Sequence, residues 1–152
     1  GRVIDYGVKD ANDMGAAMAP AARETLLSHL EATGRSPSYY DLILTGDLGK
    51  AGSNLLRILM KEKGVILGDN YNDCGAMMFI GDQEKIGQGG SGPACVNVTF
   101  NGYVYKKMMS GELTKVLLIP TGALLSKISN LQGETIPSIA HAISFVRKAE
   151  FQ

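Results

Sequence analysis

Two glycine-rich turns hold the residues of this 152-residue chain best suited to chemistry. The first, Gly46-Asp47-Leu48-Gly49-Lys50-Ala51-Gly52-Ser53, follows a short aliphatic run. It departs from a phosphate loop, which needs four residues between its glycines and a Ser or Thr after the lysine. Here Lys50 is followed by Ala51, so a nucleotide triphosphatase is not expected. A strand end turning into a helix is still the place where open α/β sheets collect ligands. Lys50 there either supplies a positive charge or is merely solvated.

The second turn, Gly87-Gln88-Gly89-Gly90-Ser91-Gly92, satisfies G-x-G-x-x-G and opens a helix. A dinucleotide fold needs a buried strand before that motif, and the preceding Gly81-Asp82-Gln83-Glu84-Lys85 is polar. Two readings of the turn remain. Residues without side chains ahead of a helix let backbone N–H groups meet a carboxylate or phosphate, or the glycines serve only the backbone angles of a loop.

Nucleophiles and metal ligands are scarce. Cys95 falls in the first turn of a helix, where the dipole lowers a thiol's pKa, but Val96 and Val98 beside it favour a small buried side chain. Cys74 is the other cysteine, and nothing supports a bridge between the two. His29 lies beside Glu31 and His141 in the last strand; neither has a partner at metal-ligand spacing, and no Ser-His-Asp set can be nominated. The seven methionines read as core filler.

The elements that position these residues follow from pattern. Residues 2–8 read as a strand. A helix spans Met14 to Ala32 with Gly34 as its stop, its regular part starting near Pro20. Leu42–Thr45 is a buried-type strand. Leu55 to Lys63 is a helix burying Leu55, Ile58, Leu59 and Met60, stopped by Gly64. Asp69–Asp73 reads as a turn cluster, and Ala76–Ile80 as a strand or one helical turn. Pro93 opens a helix to about Met109, ended by Gly111. Lys115–Pro120 is a strand, Thr121-Gly122-Ala123 a tight break, and Ser138–Val146 a final strand. The order is that of one α/β domain over residues 1–152, with a mixed sheet.

Composition sets outer limits. A chain of this length buries roughly 70% of its unfolded surface, and 45% hydrophobic with 20% charged residues excludes a disordered protein. Fifteen basic and fifteen acidic residues leave no net charge, so a nucleic-acid surface built on bulk charge is not expected. No apolar run approaches the roughly 20 residues of a membrane span. The cysteine usage reads as a reducing compartment. The chain opens without an initiator Met or leader, as a fragment or processed chain would.

Several motifs together resemble one family. They are Ala11-Asn12-Asp13-Met14-Gly15-Ala16-Ala17-Met18-Ala19-Pro20, Leu44-Thr45-Gly46-Asp47-Leu48-Gly49, Asn72-Asp73-Cys74-Gly75, Gly89-Gly90-Ser91-Gly92 and Ile119-Pro120-Thr121-Gly122-Ala123-Leu124-Leu125-Ser126. Gln132-Gly133-Glu134-Thr135-Ile136-Pro137 and Ala140-His141-Ala142 extend the likeness nearly to the end. The chain resembles the carboxyl-terminal half of the SpoVAD family of spore-forming bacteria, proteins of thiolase-like fold. The resemblance implies one βαβαβαββ-like half of a five-layered body, with a pocket between the two halves.

Thiolases and ketoacyl synthases draw a nucleophilic cysteine from the other half and a His/His or His/Asn pair from this one. The matching places here, Thr45-Gly46-Asp47 and the 87–92 loop, contain neither histidine nor asparagine. Asp47 would repel the negative charge that an imidazole donor stabilises. The resemblance therefore implies binding without catalysis. The ligand is dipicolinic acid (pyridine-2,6-dicarboxylate), with calcium expected only together with the ligand and no other cofactor. Gly46, Asp47 and Lys50, then Gly90, Ser91 and Gly92, are the expected ligand-binding residues, with Thr121 and Gly122 in the wall. Asp47 would touch a bridging calcium, a backbone N–H or nothing relevant. Implied partners are the SpoVA membrane proteins, the amino-terminal half and a second copy in a homodimer. The implied location is the periphery of the inner membrane of the developing spore. A thioester enzyme with atypical residues and a scaffold for the membrane partners are the competing readings.

Overall fold

The computed structural model describes residues 1–79 and 87–147. Its centre is a four-stranded sheet. The strands are β1 (Leu42–Thr45), β2 (Tyr71–Asp73), β3 (Lys115–Ile119) and, at one edge, a last strand over Ile143–Val146; β1 and β3, the inner pair, are the aliphatic runs. The spatial order is β2-β1-β3 and then that last strand, the first three parallel and the fourth antiparallel to β3. Side chains alternate across a strand, and both faces here are covered. Ile43, Leu117 and Ile119 point into one core and Leu44, Val116 and Leu118 into another, so β1 and β3 read as unbroken aliphatic runs.

The first core lies under α1 (Met14–Thr33) and α2 (Gly49–Lys61), which supply Met18, Leu26, Leu30, Leu56 and Met60. The second lies under α3 (Cys74–Met77) and a longer helix built in three parts: α4 (Cys95–Thr99), a π-helical segment (Phe100–Val104) and α5 (Tyr105–Ser110). These supply Cys74, Cys95, Val104 and Met108. A separate antiparallel pair, β4 (Thr121–Ala123) with β5 (Ser138–Ala140), packs on α1, and α6 (Lys127–Leu131) lies between its strands in the chain. The edge strand Ile143–Val146 is therefore β6.

Several expectations need correction. Residues 2–8 do not form a strand; they run alongside β5 with a single bridge, Ile4 to Ser138, and a further bond from the Ile136 N–H to the Val8 carbonyl. The first helix starts at Met14 as expected but is regular from there rather than from near Pro20, because Asp13 caps it by accepting from the Ala16 N–H at 3.0 Å. Asp13→Ala should cost about 1 kcal/mol, measured by urea denaturation. Helix α2 starts six residues earlier than expected and buries Gly49, Gly52, Leu56 and Met60, while Ile58 is exposed. Tyr71–Asp73 is a strand, not a turn, and Cys74–Met77 is a helical turn; Ile80 lies outside the described residues.

At the carboxyl end, the helix after Pro93 begins at Cys95 and ends where Gly111 takes a left-handed φ of 86°. Thr121–Ala123 is a strand rather than a break, and 138–146 is two strands in different sheets, with His141 in the link. Helix α6 has no counterpart in the sequence reading. Met109 is exposed rather than core.

Candidate functional site

Strands β1 and β3 run side by side and end together, Thr45 opposite Ile119. Each then breaks into a turn, and these turns meet. A Cβ on Gly46 would lie 2.6 Å from Thr121 Oγ1 and 2.8 Å from the Thr121 nitrogen, so only glycine allows the approach. Asp47, next in the chain, joins three segments through its carboxylate. The Gly92 N–H donates to Oδ2 at 2.9 Å, the Ser91 hydroxyl to Oδ2 at 3.2 Å, and the Thr121 hydroxyl to Oδ1 at 3.2 Å. Contact with a backbone N–H, one of the three roles open to Asp47, is thus present through Gly92.

The start of α2 differs from expectation. Its first N–H groups are held by the chain's own acceptors. Leu48 and Gly49 donate to Asp73 Oδ2 and Oδ1, both at 3.0 Å. The Lys50 N–H donates to the Gln88 carbonyl at 3.0 Å, and Ala51 to Gln88 Oε1 at 2.8 Å. The Gly90 N–H is likewise used, donating to the Gly75 carbonyl at 2.8 Å.

Two adjoining cavities share Met14, Asp47 and Ser91. The larger, about 280 Å³, is lined also by Met18, Gly92, Pro93, Thr121, Gly122 and Ala123. The smaller, about 190 Å³, reaches past Gly90 to Gln88, Asn12 and Asp13. Six of the eight expected residues thus come together around these cavities, while Gly46 and Lys50 line neither. A bigger groove, about 380 Å³, lies against α1 at Thr25, Ser28 and His29 and contains none of the glycine-turn residues. It is lined by Arg2, Glu24, Thr25, Ser28 and His29, and it is remote from both glycine-rich turns.

The thiols are poorly placed for nucleophilic work. Cys74 is fully buried and Cys95 is 2% exposed. Burial first, with the nearby Asp73 and Asp47 charges adding to it, pushes Cys74 up to about 12 and Cys95 up to about 11. Both are free. The helix-dipole effect expected at Cys95 is therefore outweighed by desolvation and by carboxylates. His29 faces Tyr40, and His141 faces the Gly1 amino group. Among the described residues no group of three or more His, Cys, Asp or Glu could hold a metal ion, and no helix is long and apolar enough to cross a membrane.

Asp73 escaped the sequence reading. It is fully buried and accepts four hydrogen bonds, from the Thr45 hydroxyl at 2.7 Å and the Leu48, Gly49 and Ala76 N–H groups at 3.0 Å each. Burial pushes its carboxyl above the usual range, and those bonds pull it back. The available signal was an aspartate one residue ahead of a helical turn, the N-cap pattern, hidden by reading 69–73 as a turn.

Comparison with known proteins gives a consistent picture. The family described as Stage V sporulation protein AD (SpoVAD) matches residues 1–146. Stage V sporulation protein AD of Bacillus subtilis (strain 168) is 44% identical over 147 residues. That alignment covers 97% of this chain and 43% of the relative, so the chain spans less than half of the relative's length.

Proposed function

The chain belongs to the stage V sporulation protein AD family, and from that premise we propose that it forms part of a non-catalytic binding site for dipicolinic acid. The observation that carries this reading is the meeting of Asp47, Ser91, Gly92, Thr121 and Gly122 around one cavity. Met14, Met18, Pro93 and Ala123 supply apolar walls for a flat ring. At about 280 Å³ the space sits near the lower end of ligand pockets, which run from roughly 300 to 1,000 Å³. A single-ring ligand suits that size, as does a pocket completed by residues from a second half.

In this reading the α2 terminus does not bind the ligand carboxylates, since its donors are taken. Asp47 repels a bare dianion and attracts a cation. The Asp47, Ser91 and Thr121 oxygens are the hard donors calcium prefers, but one carboxylate is too few for a resident site, so calcium would arrive with the ligand. Catalysis is not part of the proposal: both turns lack histidine, and both thiols are neutral at physiological pH.

The thiolase-like five-layered fold belongs to the same proposal. The outer face of the 95–110 helix exposes Val98, Tyr105 and Met109, as a helix in an inner layer would before its cover is in place. The amino-terminal half of the full protein would supply that cover. A homodimer, SpoVA membrane partners and a peripheral place at the spore inner membrane complete the reading.

Calorimetric titration of dipicolinic acid into the protein, with and without calcium, tests it. Saturable binding that Ser91→Trp reduces at least tenfold is expected, because the indole would intrude on both cavities at their shared edge. Absence of binding at millimolar ligand would end the dipicolinate reading.

A further inference from the structure

We propose that Asp73 is a positioning residue of this site, the buried anchor that sets the spacing of both glycine-rich turns; the ligand part of the proposal rests on the binding reading above. Asp73 lines neither cavity. Its carboxylate instead holds the two cavity-forming segments from behind. On one side it takes the Leu48 and Gly49 N–H groups and so fixes the turn that carries Asp47. On the other it takes the Ala76 N–H and so fixes the first turn of α3. Gly75, within that turn, donates to the Gly46 carbonyl at 3.1 Å and accepts from the Gly90 N–H at 2.8 Å. The 87–92 loop therefore hangs on α3, α3 hangs on Asp73, and the loop closes back onto Asp47 through Gly92.

Three of the four groups around Asp73 are backbone N–H groups, which can only donate, and they reach both oxygens, so both oxygens act as acceptors. The Thr45 hydroxyl spends its proton on Asp73 and is itself met by the Tyr71 hydroxyl at 3.0 Å. Asparagine has the same shape, but its NH2 group would face the Leu48 N–H on one side or the Gly49 and Ala76 N–H groups on the other, donor against donor, with only the Thr45 hydroxyl able to turn and accept. The turns must then separate on at least one side. Asp41, an exposed aspartate that accepts through Oδ2 alone, provides a comparison. It accepts from the Thr114 N–H, the Thr114 hydroxyl and the Lys115 N–H at 2.6–2.9 Å, at the opposite end of β1 and away from both cavities.

The test uses the protein with Asp73→Asn, Thr45→Val and Asp41→Asn, titrated with dipicolinic acid plus calcium. For metal ligands, loss of an outer-shell partner typically costs about 10–100-fold; by that analogy a loss of at least tenfold is expected for Asp73→Asn. Asp41→Asn should stay within about twofold. Amide resonances supply a readout independent of the ligand. In Asp73→Asn the Gly92 N–H, which touches Asp47 and not Asp73, should shift together with Leu48 and Gly49. Wild-type binding by a folded Asp73→Asn, equal weakening by Asp41→Asn, or an unmoved Gly92 resonance would overturn the proposal. Should Asp73→Asn fail to fold, Thr45→Val removes one of the four bonds and is expected to weaken binding about threefold and to move Gly92; no change in either overturns it. If the wild type itself binds no dipicolinate, the binding reading falls and the Gly92 shift alone decides the positioning role.

Discussion

Gly52→Ala is expected to destabilise the protein by about 2 kcal/mol, although alanine in a helix interior is intrinsically better than glycine by about 1 kcal/mol. Helices α1 and α2 cross at Gly15 and Gly52. A Cβ on Gly52 would sit 2.8 Å from the Gly15 Cα and 2.9 Å from the Leu48 Cβ. The nearest atom is backbone, so relief requires the helices to part, and α1 is packed on its other side against β5. Parting them also disturbs Leu48, whose N–H is held by Asp73. Gly102, in the π-helical segment, is the contrasting case, since a Cβ there meets nothing within 4 Å. Gly102→Ala is expected to gain about 0.5–1 kcal/mol. Urea denaturation of the two variants should therefore move the midpoint in opposite directions. A gain at Gly52 would mean that the helices are not in the close contact described.

Iodoacetamide at pH 8 should leave both cysteines of the folded protein essentially unmodified. An ordinary thiol with its pKa at 9.0 is about one-tenth thiolate at that pH, whereas one near 11 is about one-thousandth, a difference of roughly 100-fold before burial slows the reagent further. Cys74, at about 12, is lower still. Alkylation followed by mass spectrometry should show both sites reacting only in denaturant. The same shifts give a sign for stability. Folded-state values above the unfolded 9.0 mean a contribution that is complete below pH 9 and is lost as pH rises through 11–12. Fast, single-site alkylation at Cys95 would instead reveal an activated nucleophile and reopen the thioester-enzyme reading.

The strands most legible in sequence were those covered on both faces. Leu42–Thr45 and Lys115–Ile119 are aliphatic runs with no competing pattern, and they form the centre of the sheet. Strand β2 was missed because Tyr71-Asn72-Asp73 is three residues long and two of them are ordinary turn formers. The start of α2 was missed because Gly49 and Gly52 look like breakers; their role is the close crossing with α1 and the turn beside Asp73. The last strand was read as one because its hydrophobic pattern runs on through His141 and Ala142, while the transfer between sheets is made by backbone pairing with β4 and β3.

At the site the same division holds. The turns at Asp47 and Ser91 could be found from glycines alone. That the N–H groups of Leu48 to Ala51 are already spoken for could not, because Asp73 and Gln88 reach them from far along the chain. Lys50, attractive as a charge in sequence, lines neither cavity.

The strand order has a consequence in time. β1 pairs on one side with Tyr71–Asp73 and on the other with Lys115–Ile119, about seventy residues further along the chain. Synthesis proceeds at about 5–20 residues per second, so β1 waits roughly 4–14 s for its second neighbour. For that interval Leu42, Ile43 and Leu44 present an aliphatic edge able to pair with any passing strand. A nascent chain halted short of Lys115 would thus keep one edge of β1 unpaired for as long as the halt lasts.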